Sequence, residues 1–185
     1  MINTEGYQHK VTPIKNLILL IFCLFLASCA SVPQGGSRVN FKPPTDLSSW
    51  TAKGSISLTT ASESTQAKFV WEQEKNNYTI DFFGPLGTYH HQLQGRKGQV
   101  VLTNYEGKQV QAPTAQALLR ETVGWNLPVE NLHDWIRGIK KSAPHWSVDY
   151  RDYTQVGGYT LPSTLLLSYP GLKIKVKVTK WEIQR

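Results

Sequence analysis

The chain has 185 residues, 20 basic against 13 acidic side chains and a net charge of +7, so it is sized for one domain with a modest basic excess. Two cysteines exclude a disulfide-stapled scaffold and a multi-cysteine zinc module, which leaves stability to an ordinary apolar core. No arginine-rich block or basic-aromatic motif is present, which argues against a nucleic-acid partner.

Lys10 and Lys15 precede an apolar run from Leu17 to Leu26 that closes on Leu26-Ala27-Ser28-Cys29. A basic segment, a short apolar stretch and small residues before a cleavage point make a secretory signal. The run is about half of the roughly 20 residues that a spanning helix needs. Its ending resembles a bacterial lipobox, in which the cysteine takes a diacylglyceryl group, becomes the first residue and is then acylated. Residues 1–28 are therefore expected to form a lipoprotein signal peptide, with Cys29 lipidated. Cys23 follows the bulky Phe22 and leaves with the leader, so no thiol remains for metal or catalysis. Ala30 and Ser31 come next. In bacterial lipoproteins generally, the lack of aspartate there favours export to the outer membrane, where the protein would be lipid-anchored and face the periplasm.

The stretch through Ser31-Val32-Pro33-Gln34-Gly35-Gly36-Ser37 to Pro43 and Pro44 can bury little apolar area, and residues 29–44 read as a flexible tether. Residues 45–185 then form the folded domain.

Strands dominate that domain. Trp50, Ala52, Gly54, Ile56 and Leu58 alternate with polar neighbours at the period of a half-buried strand. Ala67, Phe69 and Trp71 repeat the pattern, as do Tyr78, Ile80 and Phe82, then Tyr89, His91 and Leu93. Val100 to Thr103 and Gln109 to Gln111 flank Tyr105-Glu106-Gly107, a hairpin connection. Near the end Leu172, Ile174, Val176 and Val178 face one way, and Lys173, Lys175 and Lys177 the other. Such a lysine row suits a solvated face or a guard against edge pairing, and lipid head groups second.

Two short helices interrupt the strands. Ala115, Leu118, Leu119, Thr122 and Val123 follow helical spacing, with Thr114 as N-cap and Gly124 as the stop. Val129, Leu132, Trp135 and Ile136 repeat the spacing between Pro128 and Gly138. Neither is long enough to hold up alone in water, so both must lie on the sheet or cover something between themselves and it. A strongly curved antiparallel sheet with a helical cover follows, an architecture that can close around a ligand.

Catalytic chemistry is hard to find. The chain lacks a nucleophile elbow, a zinc-protease motif, a phosphate loop and a dinucleotide fingerprint. His90 and His91 point to opposite faces of a strand and cannot share a metal ion. His133 and Asp134 are adjacent on a helix and are not expected to face each other. No enzyme, metal site or cofactor is implied. In Gly84-Pro85-Leu86-Gly87, proline second and glycine fourth suit a type I turn, and Leu86 would stand at a hairpin tip where a polar residue is ordinary. Single exposed leucines often mean nothing.

Taken together, these motifs resemble the outer-membrane lipoprotein receptor family LolB. The likeness rests on the lipobox, Phe69-Val70-Trp71, Pro85-Leu86-Gly87, Leu132-His133-Asp134-Trp135-Ile136 with Gly138, and Ile174-Lys175-Val176-Lys177 with Trp181. It implies a mainly β fold, a curved antiparallel sheet forming a half-open barrel with a helical lid, whose apolar interior takes lipoprotein acyl chains. It implies that the protein, as a monomer, receives lipoproteins from the periplasmic carrier LolA and inserts them into the outer membrane. Leu86, flanked by Pro85 and Gly87, falls on the family's membrane-insertion turn. Trp50, Ile56, Phe69, Trp71, Ile80, Phe82, Ile174 and Val176 are candidates for cavity wall or core. Leu118, Leu119, Leu132, Trp135 and Ile136 are candidates for the lid. Against the family, the first helix is reduced to Thr45–Ser49 and the segment between Gly138 and Trp146 is short, so fewer strands and a smaller lid are expected. The alternative is a structural envelope lipoprotein that binds another protein through its curved sheet.

Overall fold

A computed structural model describes residues 44–87, 89–123 and 127–184. The leader, Cys29, the tether up to residue 43 and the helix stop at Gly124 lie outside the described residues.

Alternating side chains become one sheet. In β1 (Ser49–Thr59) Trp50, Ala52, Ile56 and Leu58 are buried, while Ser55 and Ser57 face outward. β2 (Ser64–Glu74), β3 (Asn77–Phe83), β4 (His90–Arg96), β5 (Gln99–Thr103) and β6 (Gln109–Ala112) follow as antiparallel neighbours. Two helices come next, α1 (Ala115–Val123) and α2 (Val129–Ile136). The chain returns through β7 (Ser147–Val156), β8 (Tyr159–Tyr169) and β9 (Leu172–Ile183). Strand order is β6-β5-β4-β3-β2-β1-β9-β8-β7, so the first and last strands pair in the interior and the sheet ends at β6 and β7 without closing. This is a mainly β, antiparallel, curved open sheet with two short helices. Residues 45 and 46 make a turn, not a helix.

The lysine row does not guard an edge. Lys173, Lys175 and Lys177 are exposed as the alternation requires, but β9 lies between β1 and β8. Local period fixes which face a residue takes and says nothing about which strand will sit beside it. The true edge strand β7 carries exposed Asp149, Arg151 and Asp152, charges that discourage further pairing.

The helices are set by their ends. The Thr114 hydroxyl accepts the Ala117 N–H at 3.1 Å and opens α1. Thr122, expected on the apolar face, is exposed and donates its hydroxyl to the Leu118 carbonyl at 2.8 Å. α2 has no side-chain cap at Pro128. It stops where Gly138 turns to φ 87°, with the Gly138 N–H on Trp135 O and the Ile139 N–H on Asp134 O, both 2.9 Å, the bond pair of a Schellman ending.

β1 and β9 approach unusually closely at Gly54, where their register shifts. A Cβ there would lie 2.0 Å from the Lys177 carbonyl oxygen, so glycine is needed for the two central strands to meet. Gly54→Ala should therefore lower stability by about 1–3 kcal/mol or more, as overpacking does, measured by denaturant unfolding. An unchanged midpoint would mean that the two backbones tolerate a wider spacing.

Candidate functional site

Between the inner face of the sheet and the two helices lies a cavity of about 330 Å³, within the usual range of ligand pockets. Ile56, Phe69, Trp71, Ile80, Phe82 and Val176 contribute to its wall, with Leu119 from α1 and Leu132 and Ile136 from α2. Leu58, Ala67, Leu93, Leu102, Leu127 and Val129 complete the apolar part, which the sequence reading had not assigned to a cavity. Among the described residues that line it, Thr65 and His91 are the polar ones. A lining of this kind favours apolar ligands. Trp71 turns its Nε1 away to Gln73 Oε1 at 3.1 Å, which keeps that donor satisfied outside the apolar space.

Trp50, Ile174, Leu118 and Trp135 are buried in the core outside that wall. Trp50 is packed near Trp71, Trp181 and His133, with centroids 5.4, 5.2 and 6.1 Å away. Trp135 packs near Trp146 and donates Nε1 to Lys141 O at 2.7 Å.

Burial falls steadily along the strands and shows which end of the cavity is open. Trp71, Ile80 and Leu93 lie side by side in register at 2, 3 and 1 % exposure. One step along, Phe69 is still buried but Phe82 and His91 are only half-buried, and beyond them Thr65 is exposed. The mouth is at this second end. His90, on the opposite face, pairs with Asp81 at 2.6 Å and stacks on Phe83, so the two adjacent histidines do face apart.

Past the mouth, β3 runs into Gly84-Pro85-Leu86-Gly87, a single turn in which the Gly87 N–H bonds to Gly84 O at 3.0 Å. Leu86 has φ 57° and ψ 17°. A left-handed third residue belongs to a type II turn, not the expected type I. For a residue with a Cβ that conformation costs about 1–2 kcal/mol. The side chain is 101 % exposed, so no burial offsets the strain.

A family model described as "Outer membrane lipoprotein LolB" matches residues 48–145 and 139–181. The chain belongs to the LolB family. "Outer-membrane lipoprotein LolB" of Aeromonas hydrophila subsp. hydrophila is 29 % identical over 194 residues, covering 95 % of this chain and all of the relative. The protein of the same name from Chromohalobacter salexigens is 28 % identical, covering 89 and 88 % of the two chains. Among solved structures, a DUF1329 family protein from Desulfovibrio piger shares the fold, with a TM-score of 0.55, 9 % identity and coverage of 76 and 87 %.

In this LolB-family chain, a residue not singled out by its sequence pattern ties the end of α2 to the segment that leads into β1. Arg137 is buried, at 6 % exposure, and its guanidinium donates to Leu47 O at 2.8 Å and to Asp134 Oδ1 at 2.8 Å. An Asp three residues before an Arg on a helix is the signal that could have found it. The same contact corrects the expectation for His133 and Asp134: His133 Nδ1 and Asp134 Oδ1, the oxygen that Arg137 holds, lie 3.3 Å apart.

Burial, chiefly, and then the Arg137 and Lys141 charges push the His133 pKa down, against the opposing pull of Asp134. The unfolded chain therefore binds this proton more readily than the folded one. Stability from this residue is complete above the ordinary histidine value near 6.5 and is lost as pH falls below it. The midpoint of thermal unfolding should drop between about pH 7.5 and 5.5, and His133→Gln should flatten that slope. A slope unchanged by the substitution would place the acid sensitivity elsewhere.

Proposed function

We propose that this protein receives lipoproteins from a LolA-type periplasmic carrier and inserts them into the outer membrane, holding their acyl chains in the cavity during the transfer. It acts as a monomeric binding module, not a catalyst. Residues 1–28 are its signal peptide, Cys29 carries its own lipid anchor, residues 29–44 are the tether, and the half-barrel takes up the remaining chain to 185.

The observation that carries this reading is the cavity: about 330 Å³, apolar except at Thr65 and His91, and open at one end. Each buried methylene contributes about 0.8 kcal/mol, so a long acyl chain costs on the order of ten kcal/mol to expose to water. A path through an apolar wall removes most of that barrier. With no fingerprint for a nucleotide in the sequence, direction has to come from differences in affinity. The receptor must hold the chain more tightly than the carrier, and the bilayer more tightly than the receptor. α1 and α2 lie over the inner face of the sheet and occupy part of the surface on which a structural partner would dock.

Leu86 is the membrane-inserting residue in this reading. Lys75 and His145 also take positive φ, at 53° and 67°, so what sets Leu86 apart is a fully exposed leucine at the tip of its turn. The apolar tip enters the bilayer beside the mouth and lowers the barrier for the cargo to follow.

Transfer from carrier loaded with a labelled lipoprotein to liposomes tests this. Leu86→Glu should accept cargo at the wild-type rate and deliver it slowly, because a charge at the bilayer centre costs roughly 2.5–3.5 kcal/mol and less near the interface. Leu86→Gly should also deliver slowly, yet fold as stably as wild type or up to about 1 kcal/mol more so, since glycine adopts this backbone freely. Equal delivery by all three proteins would remove the insertion role, and loss of acceptance would move Leu86 to the carrier contact.

A further inference from the structure

Four large apolar side chains are exposed among the described residues: Leu86 at 101 %, Tyr105 at 57 %, Tyr89 at 51 % and Val110 at 36 %. Scattered singly over a surface, such residues would need no explanation. They are not scattered. Phe83 pairs with His90, which places Leu86 and Tyr89 on the connection between β3 and β4. Gln92 pairs with Thr103, so β5 runs out at the same end of the sheet and the turn holding Tyr105 lies beside that connection. Val110 enters β6 from this turn and pairs with Leu102. All four therefore crown one end of three adjacent hairpin strands and the edge strand next to them.

The crown is also continuous with the cavity. Tyr89 and Tyr105 meet edge to face, with centroids 5.7 Å apart. Tyr105 in turn meets the ring of His91, a wall residue at the half-buried mouth, with centroids 6.0 Å apart and planes at 83°. Tyrosine suits the boundary between head groups and acyl chains, because its ring is apolar and its hydroxyl remains in water.

We infer that Tyr89, Tyr105 and Val110 form with Leu86 a single bilayer-docking rim, in which the tyrosines sit at head-group depth and seat the cavity mouth against the membrane. The inference rests on the reading of Leu86 as a membrane-inserting tip and extends it from one residue to a surface. Clustered exposed apolar groups mark an interaction site, and two features favour lipid over a protein partner. The group is a ridge with one fully projecting leucine, a shape that a deformable bilayer accepts and a preformed protein pocket must match. Lysines outnumber carboxylates at this end, where Glu63 lies on the β1–β2 turn, Glu106 follows Tyr105 and Asp81 is paired with His90. Lys68 pairs in register with Phe83, and Lys177, Lys175 and Lys173 step along β9 toward the same end. The carboxylate of Glu182, which pairs with Lys53 and Lys180, sits further along the sheet in the other direction. Lysines placed this way are attracted to anionic head groups. Docking in this posture brings the mouth to the level where an acyl chain leaves water, so cargo passes from wall to bilayer over Tyr105 and Tyr89.

The test uses the acylated full-length protein in liposomes of phosphatidylethanolamine and phosphatidylglycerol. Single cysteines at Leu86, Tyr89, Tyr105 and Lys97, the last on the β4–β5 turn at the opposite end, carry an environment-sensitive fluorophore. Nitroxides placed high or low on the lipid acyl chains act as quenchers. Labels at Tyr89 and Tyr105 should be quenched by the shallow nitroxide, the label at Leu86 more by the deep one, and the label at Lys97 by neither. The double variant Tyr89→Ser/Tyr105→Ser should deliver cargo severalfold more slowly while accepting it from the carrier at the wild-type rate. Quenching at Leu86 without quenching at both tyrosines would overturn the rim and leave the inserted tip standing. No quenching at any site would overturn both. Tyrosine labels that respond only when loaded carrier is added, or a double variant that fails to accept cargo, would assign this end to carrier docking and overturn the lipid contact.

Discussion

The central constraint is a mismatch of surfaces between a wide apolar sheet and a narrow helical cover. Inward-facing residues of β1 to β5 and β9 present a continuous apolar face, and helices of nine and eight residues are what lies over it. In most domains such a face would be filled to near crystal density. Here the β8 and β9 side is filled, by Leu161, Leu165, Leu167 and Ile174 at 0–1 % exposure, while the β2 to β4 side keeps a space of about 330 Å³. Empty apolar volume weakens a fold because its walls lose their packing partners. A cavity kept at that cost has a use, and an apolar guest that restores the lost contacts is the one that fits the lining.

Two features make the space tolerable. α2 is fixed independently of the cavity, through Arg137 on the Leu47 carbonyl and Trp135 on the Lys141 carbonyl, so the cover does not collapse inward. Beneath it, Trp71 forms part of the cavity floor, and Trp50 packs under it with its ring centroid 5.4 Å from Trp71 and 5.2 Å from Trp181. The Nε1 donors of Trp71 and Trp181 have partners, whereas that of Trp50 is buried without one, a local cost at the centre of the cluster. The open end is arranged differently. There the strand backbone gives way to a turn with Leu86 at φ 57°, and the rings of Tyr89, Tyr105 and His91 follow one another at the rim.

Much of this was legible in sequence, and the rest was hidden for identifiable reasons. The period-two pattern gave the inward face of β1, β2, β3, β4 and β9, because side-chain direction in a strand is fixed by position alone. It could not separate wall from core: Ile56 and Trp50 share a face of one strand, and only the placement of the helices puts the first on the cavity and the second under the floor. The central position of β9 was equally invisible, since pairing with β1 joins residues more than a hundred positions apart. Thr114 and Gly138 could be read as helix ends because capping is local chemistry. At Leu86 the composition of the turn suggested one backbone form, and the chain adopts the form that a leucine disfavours.

The most direct measurement is to find where the acyl chain lies. A lipoprotein carrying a photoactivatable acyl group would be passed from carrier to this protein and illuminated before liposomes are added, and the adducts mapped by mass spectrometry. Cross-links should fall on wall residues such as Phe69, Leu93 and Ile136. Adducts confined to the outer face, around Lys175 and Ser57, or to the far end around Lys97, would contradict an acyl chain held inside the half-barrel.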